Sequence, residues 1–206
     1  MLKAVLFDLD GTLVDTERLY LKANAAAAAQ LGRLLPAAAF QRLVGAGDLR
    51  QNTWLQAQFG ETLEAFIRLS DELVAKRLGS VSARPGATTL LNHLHERGVL
   101  LVLVTVSPSA YVQTIVTQQP WPQFDVTVTG EVGASKPAPD LYQVALGKLN
   151  LAPAAVVVVE DTSAGVTAAN AAGLRCVQVR DLAPASAKAA AVLPDLAAVA
   201  AWLLNA

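Results

Sequence analysis

The sequence predicts an α/β fold, a Rossmann-like three-layer core with a mostly parallel sheet and one inserted small helical cap. Three observations carry the prediction. Short apolar runs rich in Val and Leu recur at 3–7, 99–104, 124–128, 155–159 and 175–179, and near-continuous apolar strands fit a parallel sheet covered on both faces. Helical patterns separate the later runs, which is repeated βα logic. The gap after the first run is different: roughly seventy residues of helical pattern without a convincing strand, more than a simple crossover needs.

In chain order, KAVLF is the first strand and DLDGT its exit. Asp8 and Asp10 stand two apart and share a face, about 7 Å between Cα atoms. Two neighbouring carboxylates resist sharing a pocket without a proton or a cation, so a cation is expected. Gly11 then permits an unusual turn that lets nearby amides face an anion. Helical stretches follow at 17–34, 37–43, 48–59 and 62–78, and Arg84-Pro85-Gly86 marks re-entry to the core. The expected division is a core of 1–15 and 84–206 with a cap of 16–83, placed where it can close over the site and exclude water.

Beyond the insert, 88–97 sets Leu90, Leu91 and Leu94 on one side and stops at Gly98, 109–118 is similar, and 139–146 opens with Pro139 in its first turn. Ser107 before Pro108 reads as a helix N-cap, Asp140 as a cap of its own helix, and Thr162 or Ser163 as the N-cap of the helix after the fourth strand. The alanine tracts 25–29 and 187–191 read as helix, and the apolar tail from Leu196 as a closing core helix. His93 and His95, two apart on a helix, are poorly placed for a shared metal and read as surface residues; Asp125 reads as structural.

Composition narrows the function. With 16 Lys+Arg against 17 Asp+Glu among 206 residues, no broad basic surface draws the chain to nucleic acid. The lone Cys176 reads as a buried apolar residue rather than a disulfide or zinc ligand. The N-terminus enters a strand directly without a signal-peptide layout, and no apolar stretch approaches the roughly eighteen residues that cross a membrane. The expected protein is cytoplasmic, a monomer or weak homodimer, with neither nucleic acid nor membrane as partner.

Four segments end in polar residues immediately after, or in the loop following, a strand: Asp8/Asp10, Thr105/Ser107, Lys136 and Glu160/Asp161. Parallel topology gathers such positions at one sheet edge. DLDGT, Thr105 closing LVLVT, KPAPD at 136–140 and VVVVEDTSAGVTAANAAG ending at Gly173 resemble the four motifs of the haloacid dehalogenase-like hydrolases. DTE at 15–17 and the insert position resemble the helical-cap subgroup that includes phosphoglycolate phosphatase and β-phosphoglucomutase. The resemblance implies Asp8 as the nucleophile that accepts a phosphoryl group and Asp10 as general acid/base. It further implies that Thr105 and the Val106 amide hydrogen-bond the phosphoryl group, while Lys136 neutralises charge on it and on Asp8. Asp8, the Asp10 carbonyl and Asp161 would hold Mg²⁺, with Glu160 ligating directly or through water; hard oxygen donors without a His/Cys set suit that ion.

The cap is expected to choose the substrate, a small phosphorylated metabolite of the sugar or sugar-acid phosphate type. Tyr20 occupies the position of a histidine in the mutase pattern, and GAGDLR at 45–50 resembles a mutase-like cap loop, leaving Arg50 as an anion clamp or a solvated surface residue. Arg18, Lys22, Asn24, Asp48 and Trp54 are weaker contacts. The reading is thus a Mg²⁺-dependent phosphoric monoester hydrolase working through an aspartyl phosphate. The alternatives are a β-phosphoglucomutase-like phosphotransferase and a non-catalytic binding protein of the same fold. Haloacid dehalogenation fits less well, because that branch lacks the second acid.

Overall fold

The computed structural model describes residues 2–46 and 49–204. Among them, six parallel strands, β1 (Ala4–Phe7), β2 (Leu100–Val104), β3 (Val126–Val128), β4 (Val156–Glu160), β5 (Arg175–Val179) and β6 (Ala191–Leu193), pair in the order β3-β2-β1-β4-β5-β6. The strand order reverses at β1, which lies between β2 and β4 with Phe7 opposite both Leu103 and Val159. Loops leaving β1 and its neighbours diverge there, and a crevice opens at the carboxyl ends of the strands. Continuing the register by one residue brings Asp8 level with Val104 and Glu160.

Side chains alternate across the sheet and feed two cores. Val5, Phe7, Leu101, Leu103, Val157 and Val159 face α4 (Ala87–Glu96), α5 (Ser109–Val116) and α8 (Leu196–Leu204). Ala4, Leu6, Val102, Val104, Val156 and Val158 face α6 (Asp140–Leu149) and α7 (Ser163–Ala171), with Cys176 fully buried among them. Asp125 is structural as expected, its Oδ2 accepting from the Leu101 amide at 2.8 Å.

Residues 187–191 correct the sequence reading. They form no helix but a turn leading into β6. Pro184 and Pro194 leave too short a run for helix nucleation, and the open edge of β5 offers a ladder instead. The Ala190 amide donates to Cys176 O and the Arg180 amide to Leu193 O, both at 2.8 Å.

The segment between β1 and α4 holds α1 (Thr16–Gln30), α2 (Thr53–Phe59), α3 (Leu63–Ala75) and several 3₁₀ turns. The stretches 37–43 and 48–59 were expected as continuous helix. The first is 3₁₀ throughout, enclosed between Pro36 and Gly45. The second, described from Leu49, breaks because Asn52 starts a new helix by accepting from the Leu55 amide at 3.1 Å. Gly47 and Asp48 lie outside the described residues. Ala27, Ala28, Phe40, Leu55, Phe59, Phe66 and Ile67 make a separate apolar core for this cap. Phe66 is its centre, stacked 4.1 Å from Phe59 and 5.7 Å from Phe40 between ring centroids. At the junction Val14 bridges Ala83, the Asp15 amide donates to Ser82 O, and the Arg84 amide to Leu13 O, so the two connecting strands leave and return side by side.

Phe66→Ala should cost about 3–5 kcal/mol of cap stability, read from denaturant unfolding followed by Trp54 fluorescence. A loss below about 1 kcal/mol would contradict a cap organised on this ring.

Candidate active site

At the carboxyl edge of the sheet one ammonium is shared by two buried carboxylates. Lys136 Nζ donates to Asp8 Oδ1 and to Glu160 Oε1, each at 2.6 Å, and to Val104 O at 3.0 Å. Glu160 is otherwise saturated. Tyr142 OH donates to Oε1 at 2.8 Å, and the amides of Asp161 and Thr162 with the Thr162 hydroxyl donate to Oε2 at 3.2–3.3 Å. Gly165 makes room for this carboxylate: a Cβ there would overlap its carboxyl atoms. The expected helix cap is Thr162, whose hydroxyl accepts from the Gly165 amide at 3.0 Å.

Asp8 and Asp161 are 6% and 0% exposed. With Glu160 they bring ligand oxygens within 4.8 Å of one another. Burial pushes Asp8 up to about 8, the attraction of Lys136 being too small to offset it and the charges of Glu160 and Asp10 adding to it. Asp161 is likewise held well above the usual carboxylate range by burial, then by Asp8 and Glu160. Burial opposes the charge of Lys136, yet Asp8 and Glu160 keep it above the ordinary lysine value. The geometry is that of three acids around a single cation, short of positive charge. Asp161 Oδ2, buried, has no hydrogen-bond partner, and Gly11, at φ +74°, lies so close that a Cβ would meet that oxygen. An orphaned hard donor with two neighbouring carboxylates fits a small divalent cation such as Mg²⁺.

Asp10 is held differently. Thr16 Oγ1 and Tyr111 OH donate to its Oδ1 and Ser107 Oγ to its Oδ2, all at 2.7 Å. Ser107 is therefore no helix N-cap, a correction to the sequence reading: α5 starts at Ser109, whose amide is taken by Glu131 at 2.7 Å. Asp10, reaching in from the loop after β1, competes more strongly for the hydroxyl than a neutral helix end. Asp140 does not cap its own helix either; its Oδ1 accepts from the Ala134 amide at 3.2 Å, bracing the loop that carries Lys136. Thr105, fully buried, accepts from the Ser107 amide at 3.1 Å and reaches Asp10 at 3.5 Å.

A cleft of about 340 Å³ covers these groups, lined on the core side by Asp8, Asp10, Val106, Ser107, Lys136 and Asp161 and on the cap side by residues that include Glu17, Tyr20, Asn24 and Asp71. Tyr20 hydrogen-bonds Tyr111 and is pushed up to about 12, by burial first and then by Asp10. Arg50 lies outside the cleft lining, paired with Glu64 at 3.0 Å. Arg18 joins Asp15 and Asp181, and Trp54 packs edge-on to Phe40. His95 is exposed, but His93 is half-buried and its Nε2 is enclosed, so the surface reading holds for only one of the two.

Sequence reasoning missed Tyr111, Thr16, Glu17 and Arg84. Arg84 donates to the carbonyls of Gly11 and Arg180 and so ties the loop after β1 to the end of β5. Burial, then the charges of Asp10 and Asp181, push Glu17 up to about 7. The DTE segment was the available signal for Thr16 and Glu17; Tyr111 offered none, being one apolar-pattern position in a short helix.

A family model described as haloacid dehalogenase-like hydrolase matches residues 2–173. The chain belongs to the haloacid dehalogenase-like hydrolases. Hexitol phosphatase A of Escherichia coli is 35% identical over 181 residues, covering 86% of this chain and 82% of that one. The phosphorylated carbohydrates phosphatase of Thermotoga maritima is 32% identical over 179 residues, covering 84% and 82%. The crystal structure of CbbY from Rhodobacter sphaeroides in complex with phosphate matches with a TM-score of 0.77 over 96% of each chain at 26% identity. With phosphatases as relatives, this haloacid dehalogenase-like hydrolase is an enzyme of the phosphoric monoester class. Among its described residues no helix is long and apolar enough to cross a membrane.

Tyr111→Phe removes one of the donors that orient Asp10. Steady-state kinetics should show kcat reduced about tenfold, less than the roughly hundredfold or greater loss expected for removing an acid–base group itself, with KM little changed. An unchanged kcat would show that Tyr111 does not position Asp10.

Proposed function

We propose that this hydrolase releases phosphate from a small phosphorylated metabolite of the sugar type. The observation that carries the reading is Lys136 clamped between Asp8 and Glu160 at 2.6 Å each, beside the unpartnered Asp161 Oδ2. That arrangement fixes the buried Asp8 carboxyl group in a cleft of about 340 Å³ and leaves a position for a cation. The carbohydrate-phosphate relatives support the substrate class, and a cleft of about 340 Å³ suits a compact metabolite.

Asp8, Asp161 and the Asp10 carbonyl would hold Mg²⁺. Glu160 stands behind, because its lone pairs already accept from Lys136, Tyr142 and two amides. When bound, the ion supplies positive charge to the carboxylates and to the phosphoryl oxygens. The chemistry belongs to the side chains. An Asp8 oxygen attacks phosphorus in line, the phosphorus–ester oxygen bond breaks, and Asp10 delivers a proton to the departing alcohol. Asp10 then takes a proton from water as that water attacks the phosphorus of the aspartyl phosphate, and inorganic phosphate leaves with Asp8 restored. Lys136 balances charge on Asp8 and on the transferring group throughout, while Thr105 and the Val106 amide stand at the same edge for the phosphoryl oxygens. The cap excludes competing water.

Asp8→Asn should keep the fold, since it removes charge from a crowded site, and should lower phosphate release at least about a hundredfold in a malachite-green assay with Mg²⁺. Wild-type rates in that variant would eliminate Asp8 as nucleophile. Isomerised sugar phosphate without net phosphate would assign the chain to the mutases instead.

A further inference from the structure

The cleft is lined by many acids and one basic side chain. Among the described lining residues Lys136 is the single cation, against the carboxyl groups of Asp8, Asp10, Glu17, Asp71, Glu160 and Asp161. Neither Gly47 nor Asp48 adds a positive side chain. Lys136 is already committed to Asp8 and Glu160.

The neighbouring arginines are engaged, although the charge of Arg50 also acts on Asp71 at the cleft wall. Arg50 pairs with Glu64 at 3.0 Å, Arg18 with Asp15 at 2.9 Å and Asp181 at 3.0 Å, and Arg42 lies 4.5 Å over the Trp54 ring. Arg84 is spent on backbone carbonyls. The part of the cleft beyond the phosphoryl position instead offers groups for hydroxyls. Asn24, 5% exposed, has its Oδ1 taken by Ser70 at 2.6 Å, which leaves its amide NH₂ to donate. Glu17 and Asp71 can accept. Leu21, Phe40 and Leu43 give an apolar wall for carbon–hydrogen faces.

From this lining we infer that the organic part of the substrate carries no negative charge: the substrate is the monophosphate of a sugar or polyol, not a sugar-acid phosphate or a bisphosphate. The inference rests on the phosphatase reading above and narrows it, dropping the sugar-acid branch. A second anionic group would sit near acidic side chains without a basic partner of its own, and an unpaired like charge there is disfavoured. Rejection comes from this repulsion more than from shape. Hydroxyls meet the same carboxylates as donors at no such cost.

The experiment compares kcat/KM of the whole enzyme with Mg²⁺ on sorbitol 6-phosphate, glucose 6-phosphate, 2-phosphoglycolate, fructose 1,6-bisphosphate, phosphocholine and p-nitrophenyl phosphate. The expected result is a neutral sugar or polyol phosphate at least tenfold above phosphoglycolate and the bisphosphate. Asp71→Lys should narrow that ratio at least fivefold, and Asp71→Asn should move it in the same direction by less. Preference for phosphoglycolate, the bisphosphate or phosphocholine, with p-nitrophenyl phosphate still turned over, would overturn this inference alone, as would a ratio unmoved in both Asp71 variants. No turnover of any ester by folded protein would overturn the phosphatase reading and this inference with it.

Discussion

The charge balance around Lys136 is the constraint on which the rest of the structure turns. One buried ammonium cannot satisfy three buried carboxylates, and the fold spends several specific features on managing the excess. Tyr142 and two amides donate to Glu160, which fixes this carboxyl group where it holds the lysine. Gly165 gives Glu160 its space and Gly11 gives Asp161 its own. The central place of β1 sets the remaining member, because the parallel register to β4 brings Asp8 level with Glu160 without any long side chain having to reach. Buried ion pairs are poor sources of stability. Here the arrangement keeps the Asp8 carboxyl group buried, oriented and short of one cation, as the proposed nucleophilic role requires.

The second acid is managed by hydroxyls instead of by charge. Asp10 hangs between Thr16 at the first turn of the cap, Ser107 in the loop after β2 and Tyr111 on α5, and Tyr20 of the cap reaches Tyr111 in turn. Cap and core thus meet at Asp10. The cap loop also approaches the core near Thr162, where a Cβ on Gly45 would come within 3.3 Å of its methyl group. Asp8 and Asp10 receive unlike surroundings although only one residue separates them, and the proposed division into nucleophile and proton carrier rests on that difference.

The sequence made the strand-end chemistry legible because each piece is local: an apolar run, then a polar residue at its carboxyl end. Asp8, Thr105, Glu160 and Asp161 follow from that pattern together with parallel topology. Residues that act across the fold gave no such signal. Tyr111 reaches Asp10 and Arg84 reaches two carbonyl groups far along the chain, and neither shows a spacing that declares its partner. Ser107 had a valid local reading as a helix cap, which lost to a charged acceptor. Residues 187–191 had helical composition, and the open edge of β5 overrode it. In the cap, alanine-rich α1 has no sharply apolar stripe, so periodicity could not tell that Asn24 faces the cleft side while Lys22 is exposed.

The central claim is that the carboxylate cluster is built for a divalent cation, and it is tested most directly by thermal melts with and without Mg²⁺ at pH 5 and pH 8. Asp8 is raised from 3.8 to about 8 by burial and by Glu160 and Asp10, against Lys136. Cation-free folded protein therefore retains a proton that the unfolded chain has already lost, and its stability falls as pH rises between those values. Mg²⁺ replaces that proton and should add more to Tm at pH 8 than at pH 5. An equal increment at both values, or a larger one at pH 5, would contradict a cation site at Asp8 and Asp161.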